Sequence, residues 1–167
     1  MARKIFPEFL AALTAQARAI RVGNGMDAAT QMGPLVSRSH AAKVADYEKA
    51  GLDIAWVAEA YGFDAPTFMG YLAAKTESIT IGAGILPIYT RTPTLMAMTA
   101  ASMDMLTNGR FILGLGASGP QVIEGFHGVK YDAPLGRTRE IIDICRIVWK
   151  RERVTYDGKY YQLPLPA

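Results

Sequence analysis

The chain has little of what most site chemistries require. Among 167 residues there is one cysteine and there are two histidines. A single cysteine excludes an internal disulfide, and its simplest setting is a reducing, cytoplasmic compartment. Cys145, His40 and His127 also fall at no metal-ligand spacing, so no metal centre is expected. Long apolar runs are missing too. Phe9 to Leu13 follows Arg3 and Lys4 in the manner of a secretion signal, but Pro7 and Glu8 cut it short. No run reaches the roughly 18 apolar residues of a membrane span. Charge of one sign is scarce: the formal net charge is +3, with basic residues scattered rather than striped. Binding to nucleic acid or to a membrane is therefore not expected.

What is present is a globular balance, 50% hydrophobic and 20% charged. Two patterns meet near residue 48. Before it, Phe9, Leu10, Leu13, Ala17 and Ile20 recur at helical spacing, a Gly/Pro-bearing loop covers 22–36, and a second helix begins near Ser39 as its cap, with the stripe Ala41, Val44, Tyr47 and Ala50. After it, short apolar runs alternate with helical stretches. Ile54–Val57, Ile79–Leu86 and Phe111–Leu115 read as buried strands. Asp64 caps a helix through Pro66, Phe68, Leu72 and Ala73, and Thr92-Pro93 opens another that Asn108-Gly109 ends. A helix over about 138–150 buries Ile141, Ile144, Cys145 and Val148, and 154–161 reads as a hairpin around Asp157-Gly158. Met96, Met98, Met103 and Met105 are expected on the sheet, and Trp56 and Trp149 as core or helix-face anchors. Strand–helix alternation implies parallel pairing, hence an α/β class.

Three segments carry a resemblance. Ala50 to Gly62, Ile81 to Pro87 and Gly109 to Gly116 resemble, in this order, the second, third and fourth strands of luciferase-like monooxygenases, most closely the branch using the deazaflavin coenzyme F420. The match covers about residues 48–165. It implies a partial (β/α)₈ barrel, about strands 2–4, preceded by two helices and followed by a helix and a hairpin. The active site would lie at the C-terminal strand ends. Glu59, Ala60 and Tyr61 would follow the second strand. Gly84 and Ile85 would form a bulge with a non-proline cis peptide behind the coenzyme ring. Gly116, Ala117 and Ser118 would line the same mouth. The implied cofactor is F420, with FMN as the alternative, and the implied chemistry is hydride transfer or oxygen insertion on a small organic substrate. Relatives acting on sugar phosphates place a histidine after the second strand and a glutamate after the fourth; Ala60 and Gly119 stand there, so the resemblance implies no acid–base pair. Glu59 is the one weak catalytic candidate, weighed against a capping or pairing role.

Residues 9–47, above all Arg21 to Ser37, resemble an aldehyde dehydrogenase stretch that follows the nucleophilic cysteine, and no cysteine precedes them here. The expected organisation is a helical segment, 1–48, joined to a barrel portion, 49–167, with the first strand and the second half of the barrel lacking a counterpart. Free sheet edges would then impair turnover unless two chains pair through them. Three alternatives stand beside this. One is an inactive recombined fragment or interaction module. Another is an aldehyde dehydrogenase remnant. The third is a NAD-binding Rossmann dehydrogenase, since Gly114 to Gly119 satisfies G-x-G-x-x-G. Ser118 lacks a nucleophile-elbow frame because Pro120 stands where glycine belongs, and His127 is read first as a loop residue.

Overall fold

The computed structural model describes residues 38–165 and, before them, only Ala11 and Ala15. The chain divides into two units, Met1–Ser37 and Arg38–Ala167, and all the described elements lie in the second. The helix expected over 9–20 and the loop over 22–36 lie outside the described residues, apart from those two alanines.

Helix α1 (Arg38–Lys49) leads to strand β1 (Ile54–Val57), helix α2 (Ala65–Ala73) and strands β2 (Thr80–Ala83) and β3 (Leu86–Pro87). Helix α3 (Pro93–Leu106) precedes β4 (Phe111–Ile112) and β5 (Leu115–Gly116). Then come α4 (Pro120–Ile123), α5 (Pro134–Trp149) and the pair β6 (Tyr156–Asp157) and β7 (Gln162–Leu163). The helix starts follow cap chemistry. Asp64 Oδ2 accepts the Thr67 amide at 2.9 Å, and Thr92 Oγ1 accepts the Leu95 amide at 3.3 Å ahead of Pro93. Helix α3 ends where Asn108 and Gly109 turn left-handed, at φ 54° and 81°. Ser39 lies inside α1 and is not its cap.

Strands β1, β2 and β4 form one parallel sheet in the order β1-β2-β4, and β3 pairs with β5, also parallel. Each of the two longer strands expected from sequence is broken once. In the first, the Gly84–Ile85 peptide is cis, as the family resemblance implied, and in the second Leu113-Gly114 intervenes. The ladder resumes beyond both breaks, with the Leu86 amide on Gly114 O at 2.8 Å and the Ile88 amide on Gly116 O at 2.9 Å. A side chain at Gly114 would run into the Ala83 carbonyl, so the close approach of the two backbones requires glycine there.

Alternation gives the sheet two unlike faces. Val57, Ile81 and Ala83 point to the helices and are buried together with Met69 and Leu72 of α2 and Met96 and Met103 of α3. Ile54, Trp56, Gly82 and Ile112 share the other face. Trp56 is 57% exposed there, so β1 is not the doubly buried strand its composition suggested and Trp56 is not a core anchor. The reason is geometric: helices cover one face only, and an all-apolar four-residue run carries no alternation to reveal that. Trp149 does anchor a helix face, donating from Nε1 to Ala97 O at 3.0 Å. The methionines divide by helical phase, Met96 and Met103 inward, Met98 and Met105 outward.

Two glutamates tie loops to helices. Glu48 of α1 accepts the amides of Glu77, Ser78 and Ile79, fixing the approach to β2. Glu140 of α5 accepts those of Lys159, Tyr160 and Tyr161 at 2.8–2.9 Å. The hairpin therefore turns through Gly158 to Tyr161, between paired Asp157 and Gln162, and not as a two-residue Asp-Gly turn. Helix α5 starts a turn earlier than expected, because Pro134 can occupy a first helical turn.

Candidate active site at the strand ends

The strands β1, β2 and β4 run in one direction, so the segments following them emerge at one end of the sheet. Gly84 and Ile85 stand at the end of β2; Gly116, Ala117 and Ser118 stand at the end of β5. These two sets meet: a Cβ built on Gly116 would lie 3.5 Å from Ile85 Cδ1. Ser118 and Gly84 are exposed, Ile85, Gly116 and Ala117 half-buried. Ser118 has φ 58°, and its carbonyl accepts from the Tyr131 hydroxyl at 3.4 Å. This mouth thus combines the Ile85 side chain with small residues on either side of it, Gly84 and Ser118 being exposed.

The segment after β1 is arranged differently. Glu59 is 9% exposed at its side chain, and both its oxygens are engaged: Arg91 Nη1 donates to Oε1 at 2.6 Å, and Arg91 Nη2 and the Ala65 amide donate to Oε2 at 2.9 and 2.8 Å. Arg91 also donates to Asp64 at 2.9 Å. Glu59 pairs with Arg91 and caps α2 in this arrangement. Ala60 and Tyr61 are exposed, and the Tyr61 ring packs edge-to-face on Phe126, centroids 5.5 Å apart. Arg91 went unremarked in the sequence, although it is the one charged residue between Glu77 and Asp104. A lone charge inside an apolar stretch is the signal that could have exposed it.

Beside the mouth, past Ile88, a cleft of about 640 Å³ opens between the loop after β3 and the hairpin, lined by Tyr89, Arg91, Lys130, Arg137, Tyr160 and Leu165 among others. Arg137 lies against the rings of Tyr89, Tyr160 and Tyr161 and pairs with Asp132 at 2.9 Å. Burial opposes its charge, yet Tyr161 and Asp132 hold it protonated more firmly than usual. Tyr89 donates to Asp132 O at 2.6 Å, and its pKa is raised by burial and by Tyr131. Tyr89 and Arg137 were not singled out in sequence, because the meeting of Arg137 with Tyr89, Tyr160 and Tyr161 joins segments distant along the chain.

Two other chemistries find no support in the geometry. The glycines 114–119 lead into α4, of only 4 residues, not a long helix opening on a dinucleotide. Cys145 is buried and burial pushes its thiol up to about 11, which disables it as a nucleophile. Among the described residues no group of His, Cys, Asp and Glu could hold a metal ion.

A parallel strand–helix sheet with helices on one face and its strand ends gathered at one mouth is the architecture of an α/β barrel portion. The luciferase-like monooxygenase family model matches residues 19–167, and the chain belongs to that family. It is 48% identical over 129 residues to a Mycobacterium tuberculosis protein named as a coenzyme F420-dependent oxidoreductase, covering 77% of this chain and 37% of that one. It is 35% identical over 126 residues to the 5,10-methylenetetrahydromethanopterin reductase of Methanolobus tindarius, covering 75% and 38%. Among solved structures, the F420-dependent tetrahydromethanopterin reductase of Methanopyrus kandleri superposes with a TM-score of 0.64 at 26% identity, covering 74% of this chain and 39% of that one. The fold is thus a partial barrel of the luciferase-like type, and the chain spans less than half the length of these relatives.

Proposed function

We propose that the mouth formed by Gly84, Ile85, Gly116, Ala117 and Ser118 binds the ring of a deazaflavin, coenzyme F420, with FMN as the alternative, and that the chain contributes to hydride transfer on a small organic substrate. The observation that carries this is the meeting of the end of β2 with the end of β5, where Gly116 lies against the Ile85 side chain beside exposed Gly84 and Ser118. The coenzyme named for two of these relatives supports F420 over FMN. When bound, the coenzyme would supply the redox chemistry, as a two-electron carrier. The residues of this chain would do the rest. Ile85 would brace one face of the ring, and backbone groups of Gly84, Gly116 and Ser118 would contact its edge. The Glu59–Arg91–Asp64 network would hold the loop after β1, with Tyr61, in place.

The same reading covers assembly and organisation. The outer edges of β1 and β4 carry no partner strand among the described residues, and two chains pairing through those edges would shelter the face bearing Trp56. We read 49–167 as the barrel portion, with α1 joined to it through Glu48, which holds the approach to β2. Titration of the purified chain with oxidised F420 and with FMN, followed by coenzyme fluorescence, tests the proposal. Saturable binding of either, F420 the tighter, is expected. No binding of either would favour the inactive fragment.

A further inference from the structure

The segments that follow β1 and β5 meet through aromatic rings. Tyr61 lies edge-to-face on Phe126 at 5.5 Å and 72°, and Phe126 lies on His127 at 4.9 Å and 71°. Strand β2 stands between β1 and β4, and β5 prolongs β4. Both segments therefore leave the strands at the end of the sheet where Gly84 and Ile85 stand.

Tyr61 and Phe126 are 60% and 56% exposed, so their outward faces are free. The neighbouring carboxylates are spent elsewhere. Glu59 and Asp64 hold Arg91, and Glu124 accepts the Tyr131 amide at 2.9 Å. Among the described residues no arginine or lysine stacks on either ring, whereas Tyr71, Tyr89, Tyr160 and Tyr161 each have a cation alongside. A free aromatic face attracts other planar systems by stacking and burial, and without a cation it offers nothing to a phosphate.

We infer that Tyr61 and Phe126 form a substrate-selecting rim for planar, uncharged, conjugated carbonyl compounds. The inference rests on the oxidoreductase reading for the carbonyl, since hydride transfer needs an electrophilic acceptor; flatness and lack of charge follow from the rim itself. Tyr61 accordingly meets the substrate, not the coenzyme.

The test is a chemical-shift titration of the full chain with two probes, cinnamaldehyde and glucose 6-phosphate. Cinnamaldehyde should bind saturably, and Phe126→Ala and Tyr61→Ala should each weaken it by about 3- to 10-fold, the scale of one aromatic pair. Phe126→Tyr should keep the affinity, and glucose 6-phosphate should not bind. Both truncated side chains are exposed, so the variants should retain the parent melting temperature. Cinnamaldehyde binding unchanged in both alanine variants, or glucose 6-phosphate binding equally well, overturns the rim. Separate titrations with F420 and FMN keep the two ideas apart. Coenzyme binding without cinnamaldehyde binding defeats the rim alone, while rim-dependent cinnamaldehyde binding without either coenzyme defeats the oxidoreductase reading alone.

Discussion

Arg91 grips Glu59 with both terminal nitrogens, Nη1 to Oε1 at 2.6 Å and Nη2 to Oε2 at 2.9 Å, with side chains only 8% and 9% exposed. Removing one member of such a pair strands a buried charge. Arg91→Ala should therefore destabilise the fold by about 3–5 kcal/mol. Arg91→Lys should recover part of the loss, since an ammonium cannot span both oxygens. Urea unfolding measures both, and an Arg91→Ala midpoint equal to the parent's would show the pair to be incidental.

Glu48 couples stability to pH in the acid range. The Ile79 amide, then that of Ser78, holds its carboxyl at about 2 against an ordinary 4.5. Between those values the unfolded chain binds more protons than the folded one, so stability rises with pH across that window. The contribution of Glu48 is complete above about 4.5 and is lost as pH falls toward 2. Glu48→Gln should be less stable at neutral pH and should show a flatter stability profile between pH 4.5 and 2. A variant profile parallel to the parent's would place the acid sensitivity elsewhere.

What the sequence disclosed depended on how local the signal was. Asp64 and Thr92 announced their helices because a cap acts over three residues, and Asn108-Gly109 announced an end because left-handed backbone is a local demand. The bulge at Gly84–Ile85 was legible only through family resemblance. Its mates at Gly114 and Gly116 looked like a dinucleotide fingerprint, since the same glycines serve any close backbone approach. Trp56 misled because a four-residue apolar run does not say which face the helices cover. Arg91, Glu140 and Phe126 act on partners 19 or more residues away in sequence, Glu59, Lys159 and Tyr61 among them. Such pairings carry no spacing to read.

Cys145 should be chemically silent while the chain is folded. Its thiol is buried against Pro93 O and raised to about 11. At pH 8 a disulfide reagent such as dithionitrobenzoate should label it negligibly, and stoichiometrically once guanidinium unfolds the chain. Rapid labelling of the native protein would contradict the packing of α5 on α3.

Gly114 tests the strand junction. Gly114→Ala would push a methyl group into the Ala83 carbonyl, and the backbone must then separate. A loss of about 1–3 kcal/mol is expected. Gly109→Ala makes a contrast: open space surrounds it, and its left-handed φ of 81° sets the cost. A neutral Gly114→Ala in thermal melting would mean β2 and β4 do not approach as described.

The location of the coenzyme mouth is tested most directly by amide chemical shifts of the labelled chain on addition of F420. The account predicts that the largest changes fall on Gly84, Ile85, Gly116, Ala117 and Ser118, with the hairpin strands Tyr156–Asp157 and Gln162–Leu163 unmoved. Saturable changes centred instead on Tyr89, Lys130 and Tyr160 in the neighbouring cleft, or no saturable change at all, would contradict it.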